Sequence, residues 1–327
     1  MTENTAKPTV SVIIPVYNGA QYLGRAIQSV LSQTHPAHEI IIIDDGSFDA
    51  TPSIMEKFKG RIIAKRIPNS GPAVARNVGI EMSTGDYVAF LDHDDVWFKT
   101  KLEKQVDAVI RYPEIGFVCT NFTVRYPHLR NRMVVHFSIL KNSKSLNFNE
   151  PLKQNAFKLL IEEHFIGTSS AVMIKRDVIK KVGLFNPIYR STQDYDYWVR
   201  CSLVTNFIVL SEILFYKKNH VMNISQNTVR THTFRKDMLK EIIINHGNYI
   251  HQHHFEDICM QALADCYFFL GNLHFEAAQI FEAYRCYIRG LWTKPSPKNL
   301  GKFTWAFFKK TTRLLTFNLL SRKNFNK

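Results

Sequence analysis

Asp92 and Asp94 stand two residues apart, directly after the apolar run Tyr87-Val-Ala-Phe-Leu91. In an extended strand, side chains at i and i+2 share a face, so the two carboxylates can approach one cation. Hard carboxylate oxygens suit Mg²⁺ or Mn²⁺, ions that keep one or two carboxylates and complete their shells with phosphate oxygens. A metal held in this way acts as a Lewis acid toward a departing phosphate-bearing group. The same spacing also describes a solvated acidic turn. A calcium-binding EF-hand loop is excluded, although Asp92, Asp94 and Glu103 fall at its first, third and twelfth positions. Its fifth position is Val96, which has no side-chain oxygen, and its sixth is Trp97, where the turn requires glycine.

The elements that must position these carboxylates lie upstream. Val10-Ser-Val-Ile-Ile-Pro-Val16 is apolar and β-branched on nearly every residue and reads as a strand buried on both faces. Leu23, Ile27, Val30 and Leu31 recur at helical spacing, and a second buried strand, Glu39 to Ile43, runs into Asp44-Asp45-Gly46-Ser47. The alternation continues with a helix near Thr51 to Phe58, a strand at Arg61 to Arg66, a helix from Gly71 to Met82 and the strand before Asp92. This predicts a parallel α/β sheet. Ligands of such sheets sit at the carboxyl ends of strands, where this chain carries Tyr17-Asn18, Asp44-Asp45 and Asp92-His93-Asp94-Asp95.

Composition narrows the class. With 45% hydrophobic residues the chain can bury one substantial core, with a smaller module appended. Five cysteines, widely spread and without a CxxC pair, fit a reducing, cytoplasmic setting. No run approaches the roughly 18 unbroken apolar residues of a spanning helix, and Met1 to Val10 does not read as a secretion signal. The net charge is +14, and eleven Lys and Arg follow Glu282, the last acidic residue. The basicity is thus local. From Pro297 to Lys327 it is mixed with Phe303, Trp305, Phe307, Phe308, Leu314, Leu315 and Phe317, which suits an anionic membrane surface. A tail helix packed on its neighbours fits the same residues. No nucleic-acid module accompanies the stretch, so nucleic acid is not an expected partner.

The order of these motifs resembles glycosyltransferase family 2, inverting enzymes with a GT-A fold. The resemblance spans most of positions 10 to 225 and rests on Val10 to Asn18, Ile43-Asp-Asp-Gly-Ser47, Gly71-Pro-Ala-Val-Ala-Arg-Asn77, and Gly85 to Asp95 followed by Trp97, Lys101, Leu102 and Glu103. It implies that Pro15 and Tyr17 line a base pocket, that Asp45 bonds uracil or ribose, and that Arg76 contacts the base or diphosphate. Asp92 would sit near ribose and metal, His93 within the same nucleotide-sugar site, and Asp94 on the metal. Gln193-Asp-Tyr-Asp-Tyr-Trp-Val-Arg200 resembles the family's Glu-Asp motif, which makes Asp194 the candidate base and places Gln193 and Trp198 on the acceptor side. A carboxylate can take the acceptor's proton as its oxygen attacks, and an aspartate ahead of an apolar helical run also serves as an N-cap. The chain has Gln193 where the family usually has glutamate. His220, in Lys217-Lys-Asn-His-Val-Met-Asn-Ile-Ser225, resembles a segment near the diphosphate and is a further metal candidate.

The expected architecture is therefore a GT-A-like, Rossmann-like mixed and mainly parallel sheet flanked by helices, with an α-helical C-terminal appendage. The GT-A-like domain spans 8–225, with a nucleotide-sugar half at 8–110 and an acceptor half at 111–225. A helical appendage follows at 226–296, where Tyr267, Leu270, Gly271, Ala283, Tyr287 and Pro295 follow the spacing of a tetratricopeptide helix pair, and the basic amphipathic tail fills 297–327. The expected activity is metal-dependent transfer, with Mn²⁺ or Mg²⁺, from a nucleotide-sugar, with UDP the expected nucleotide, to a saccharide or lipid-linked saccharide of the cell surface. The expected location is the inner face of the cytoplasmic membrane. Sugar nucleotidyl transfer is disfavoured because Pro15-Val-Tyr-Asn18 replaces a glycine-rich triphosphate loop. A catalytically impaired relic that binds a partner is the non-enzymatic alternative, supported by Gln193.

Overall fold

The computed structural model describes residues 7–126, 132–141, 146–152, 155–218, 228–306 and 308. The chain divides into two units, 1–224 and 225–327.

In the first unit, β1 (Val10–Val16) and β2 (Glu39–Asp44) enclose α1 (Leu23–Leu31), and α2 (Thr51–Glu56) leads to the edge strand β3 (Ile63–Arg66). Then α3 (Pro72–Met82) precedes β4 (Tyr87–Phe90). β1 pairs in parallel with β2 and β4, and β2 with β3. All seven residues of β1 are buried, as expected of a strand covered on both faces.

Beyond β4 the sheet turns mostly antiparallel. β5 (Val96–Trp97), α4 (Lys101–Arg111), β6 (Phe117–Tyr126), β7 (Arg132–Val135) and α5 (Ala156–Glu162) precede β8 (Val172–Lys175), α6 (Arg176–Val182), α7 (Gln193–Ser202) and β9 (Phe207–Lys217). The strand order is β3-β2-β1-β4-β8-β6-β9-β5, with β7 on the flank of β6. The sheet is thus mixed: among the described residues of the second half only β6 and β9 pair in parallel, although both run in the same direction as β1 to β4.

This topology decides what meets the carboxylates. β8 is antiparallel to both β4 and β6, and β9 is parallel to β6, so β1, β2, β4, β6 and β9 all run the same way. Their carboxyl ends share one edge with the amino end of β8. That edge carries Tyr17, Asp45, Asp92, Lys217 and the 3₁₀ turn Ser169–Ala171.

α3 lies close on β1 because residue 79 has no side chain: a Cβ at Gly79 would stand 2.4 Å from Ile13 Cγ2. We expect Gly79→Ala to cost about 1–3 kcal/mol, the usual penalty for overpacking a dense core. Urea unfolding checks this, and an unchanged midpoint would show that the helix can slide on the sheet.

The second unit contains α8 (Thr228–Asn245), α9 (Gly247–Gln252), α10 (Glu256–Glu276) and α11 (Ile280–Thr293), then a helix over 297–306. Phe268, Ala283, Tyr287 and Ala306 form its buried cluster. Gly271 admits the Tyr287 ring, which an added Cβ would meet at 2.5 Å, the close approach expected of a paired-helix motif. No described helix is long and apolar enough to cross a membrane.

Candidate active site

The first two strand ends are laced to each other. Asn18 adopts a left-handed φ of 49°, a conformation asparagine tolerates. Its backbone N–H donates to Ser47 Oγ at 2.9 Å, while its Oδ1 accepts from Phe48 N at 3.0 Å. The exposed rings of Tyr17 and Phe48 meet edge to face at 6.0 Å, and Pro15 is buried in β1. Phe48 was not singled out in the sequence, because one aromatic residue after a turn carries no spacing signal.

Asp45 is first of all a brace. Its Oδ1 accepts from Ser70 N at 2.7 Å and its Oδ2 from Gly71 N at 2.8 Å, which fixes the loop entering α3. Burial raises its pKa against these two bonds.

Asp92 and Arg76 form the centre of the site. Arg76 Nη2 donates to Asp92 Oδ1 at 2.7 Å, and Thr168 Oγ1 donates to Asp92 Oδ2 at 3.1 Å. The backbone N–H of Asp92 donates to Ser170 Oγ at 3.0 Å. Burial alone would raise the Asp92 carboxyl, but Arg76 and Lys217 outweigh it and hold the pKa low. Arg76, expected at the base or diphosphate, has a side chain only 5% exposed, held between Asp92 and the Phe185 ring at 5.8 Å. A buried guanidinium needs a carboxylate partner, and Asp92 supplies it. Each Asp92 oxygen accepts one of these side-chain bonds, which leaves further lone pairs on the partly exposed carboxylate.

Asp94 lies partly exposed beside this pair, and His93 packs against the backbone of Gly19, where a Cβ would fall 2.5 Å from the ring. Asp95 is buried. Burial, with Asp94 and Asp92 alongside, pushes its pKa well up, and its Oδ1 accepts from Lys218 N at 2.9 Å. Lys217 Nζ donates to Gly167 O at 3.3 Å and adds positive potential to Asp92, Asp95 and Asp194. Sequence reading missed Thr168 and gave no role to Asp95 or Lys217, although both stand in quoted motifs, because no local pattern ties Thr168 or Lys217 to Asp92. His220 lies outside the described residues.

Asp194 is the second residue of α7, after the N-cap Thr192, and its Oδ1 accepts from Tyr195 N in the first turn at 2.8 Å. Burial raises its pKa, Arg76 pulls the other way, and Asp92 adds to the rise, so these three charges share one site. Gln193 is turned inward. With its amide oriented as its neighbours require, the nitrogen donates to the carbonyls of Tyr189 at 2.7 Å and Arg190 at 2.9 Å, while the oxygen accepts from Arg76 Nη1 at 3.2 Å. Gln193, expected on the acceptor side, thus braces Arg76 against the turn before α7. A carboxylate at this position would face two carbonyl oxygens, which is a physical reason for the amide. Trp198, expected on the acceptor side, is fully buried among Phe90, Phe117, Phe185 and Tyr197.

Residues 11–183 match the model of glycosyl transferase family 2. The chain belongs to that family. This glycosyltransferase is 32% identical over 232 residues to an uncharacterized glycosyltransferase of Rickettsia typhi, covering 67% of each chain. It is 35% identical over 199 residues to TuaG of Bacillus subtilis, a glycosyltransferase assigned to teichuronic acid biosynthesis, with 59% of this chain and 71% of TuaG covered. Among solved structures, residues 1–349 of S. aureus TarS in complex with UDP-GlcNAc superpose with a TM-score of 0.65 at 19% identity, covering 97% of this chain and 92% of that one. That likeness shows the fold: a GT-A-like sheet flanked by helices, with a helical C-terminal region.

Proposed function

We propose that the chain transfers a hexosyl or N-acetylhexosaminyl group from a UDP-sugar to a hydroxyl of a saccharide or lipid-linked saccharide, with inversion, in the synthesis of cell-surface polysaccharide, lipopolysaccharide or glycoconjugate. The observation that carries this reading is the gathering of Asp92, Asp94, Arg76, Lys217 and Asp194 at one sheet edge in a family 2 chain. The TarS structure, which holds UDP-GlcNAc on a similar fold, supports UDP as the nucleotide.

Tyr17 and Phe48 offer ring edges and faces to the base. Asp45 holds the loop beside it and keeps lone pairs for a uracil N–H or a ribose hydroxyl. His93 lines the sugar-phosphate side. Asp194 accepts the proton of the acceptor hydroxyl as that oxygen bonds to the anomeric carbon, and the bond from that carbon to the diphosphate oxygen breaks with its electron pair. Attack opposite the leaving group inverts the centre.

The residues fit a Mg²⁺ or Mn²⁺ ion through Asp94, with Asp92 and Arg76 holding its turn in place. His220 belongs to the same proposal from its motif. Among the described residues no three acidic, histidine or cysteine side chains gather into a cage, and an ion of this type needs none when phosphate oxygens and water complete its shell. When bound, it would supply charge stabilisation to the departing diphosphate. Lys217 adds a fixed positive charge nearby. The basic tail, 297–327, suits an anionic membrane surface at the cytoplasmic face, where a lipid-linked acceptor is found.

Calorimetric titration of UDP, GDP and dTDP, with and without Mn²⁺, tests the donor site. The expected result is metal-dependent binding of UDP that is lost in Asp94→Ala. Failure of every nucleotide to bind under any condition would remove the reading.

A further inference from the structure

α11 has two apolar faces, and among the described residues only one of them is packed. Ala283, Tyr287 and Gly290 are buried on the inner side, in and around the cluster with Phe268. At about 3.6 residues per turn, Phe281, Arg285, Ile288 and Trp292 fall together on the opposite side. Phe281 is 78% exposed, Ile288 46% and Trp292 80%. The helix over 297–306 shows the same division, with Ala306 buried beside an exposed Trp305. Singly exposed apolar residues need no explanation, but an aligned stripe of large ones marks an interaction surface.

The charge around the stripe selects its partner. Arg285 lies within it, Arg289 and Lys298 follow in sequence, and Lys294 pairs with Asp257 of α10. Glu282, which pairs with Arg285 at 3.5 Å, is the last acidic residue of the chain. A nucleic-acid duplex would use the cations and leave Phe281, Ile288 and Trp292 in water, and a single strand, which can stack on the two rings, would still leave Ile288 there. An anionic lipid surface uses both, taking aromatic and aliphatic groups into the headgroup boundary and cations onto the phosphates.

We propose that the outer stripe of α11, formed by Phe281, Ile288 and Trp292, docks the chain on an anionic lipid surface. This deepens the membrane placement given above and moves its main apolar contact from the tail to a folded helix.

The test is flotation of the full chain with vesicles of phosphatidylcholine alone or mixed with phosphatidylglycerol, comparing the native protein with the double variant Phe281→Ser and Trp292→Ser. We expect the native protein to float with the anionic vesicles only, and to be released by high salt. The variant should partition about tenfold less or worse, because each large apolar side chain contributes through its burial, with unchanged circular dichroism and thermal unfolding. Equal flotation of the variant would overturn the stripe while leaving the tail as the membrane contact. A native protein that floats with neither vesicle would overturn both. If the variant instead changed the sedimentation of vesicle-free protein from an oligomer to a monomer, the stripe would be a contact between copies of this chain and the lipid proposal would fall.

Discussion

Asp194→Asn is expected to lower the transfer rate by about 10²–10⁴, the usual contribution of a positioned general base, while UDP binding stays intact. The asparagine keeps the shape of the first turn of α7 but cannot take the acceptor's proton. Burial, joined by the nearby Asp92, raises the Asp194 pKa against the pull of Arg76. The base works only when ionised, so the acid limb of kcat/KM should lie above the ordinary carboxylate value of about 4. The rate should fall as pH drops through that limb, and the Asp194→Asn variant should lose it. The sign for stability is the reverse. A pKa raised on folding means that the native state binds the proton more tightly, so this group's stabilising contribution is full at low pH and is lost as pH rises through the folded value. Asp194→Asn should therefore be no less stable than the native chain at neutral pH, which separates a catalytic loss from misfolding. Activity of the variant within tenfold of native would show that another group takes the proton.

Arg76→Ala should be the most damaging single change to the first unit. It strands the carboxylate of Asp92, leaves the amide oxygen of Gln193 without its cation, and opens space beside Phe185. Removing one member of a buried ion pair costs about 3–5 kcal/mol, and activity should fall with it because Asp92 fixes the turn that carries Asp94. Arg76→Lys should recover part of the stability, since it keeps the charge, but only part: an ammonium cannot reproduce the planar fork that serves Asp92 and Gln193 together. Urea unfolding of the three proteins, read beside their transfer rates, checks both statements. A shift below about 1 kcal/mol for Arg76→Ala would mean that the pair is exchanged for water at little cost.

The nucleotide half of the site was legible in the sequence because buried parallel strands write themselves as continuous apolar runs. Residues that follow such runs must lie at the carboxyl edge of the sheet. Tyr17, Asp45, Asp92 and Asp94 were expected at that edge on this ground, and Asp194 was named from the family motif alone. The appended helix pair was legible through Gly271 and Tyr287, where a missing side chain and a large ring are complementary. Helical periodicity could not give the depth of α7, however, because that helix is buried on almost every side. Gln193 and Trp198, expected on the acceptor side, are packed inside as brace and core. Nor could local pattern bring Lys217, Lys218 and Thr168 to the aspartates more than 70 positions earlier. That meeting depends on β8 reversing direction between β4 and β6 and on β9 running parallel to β6, a choice of strand order made by the packing of the whole sheet.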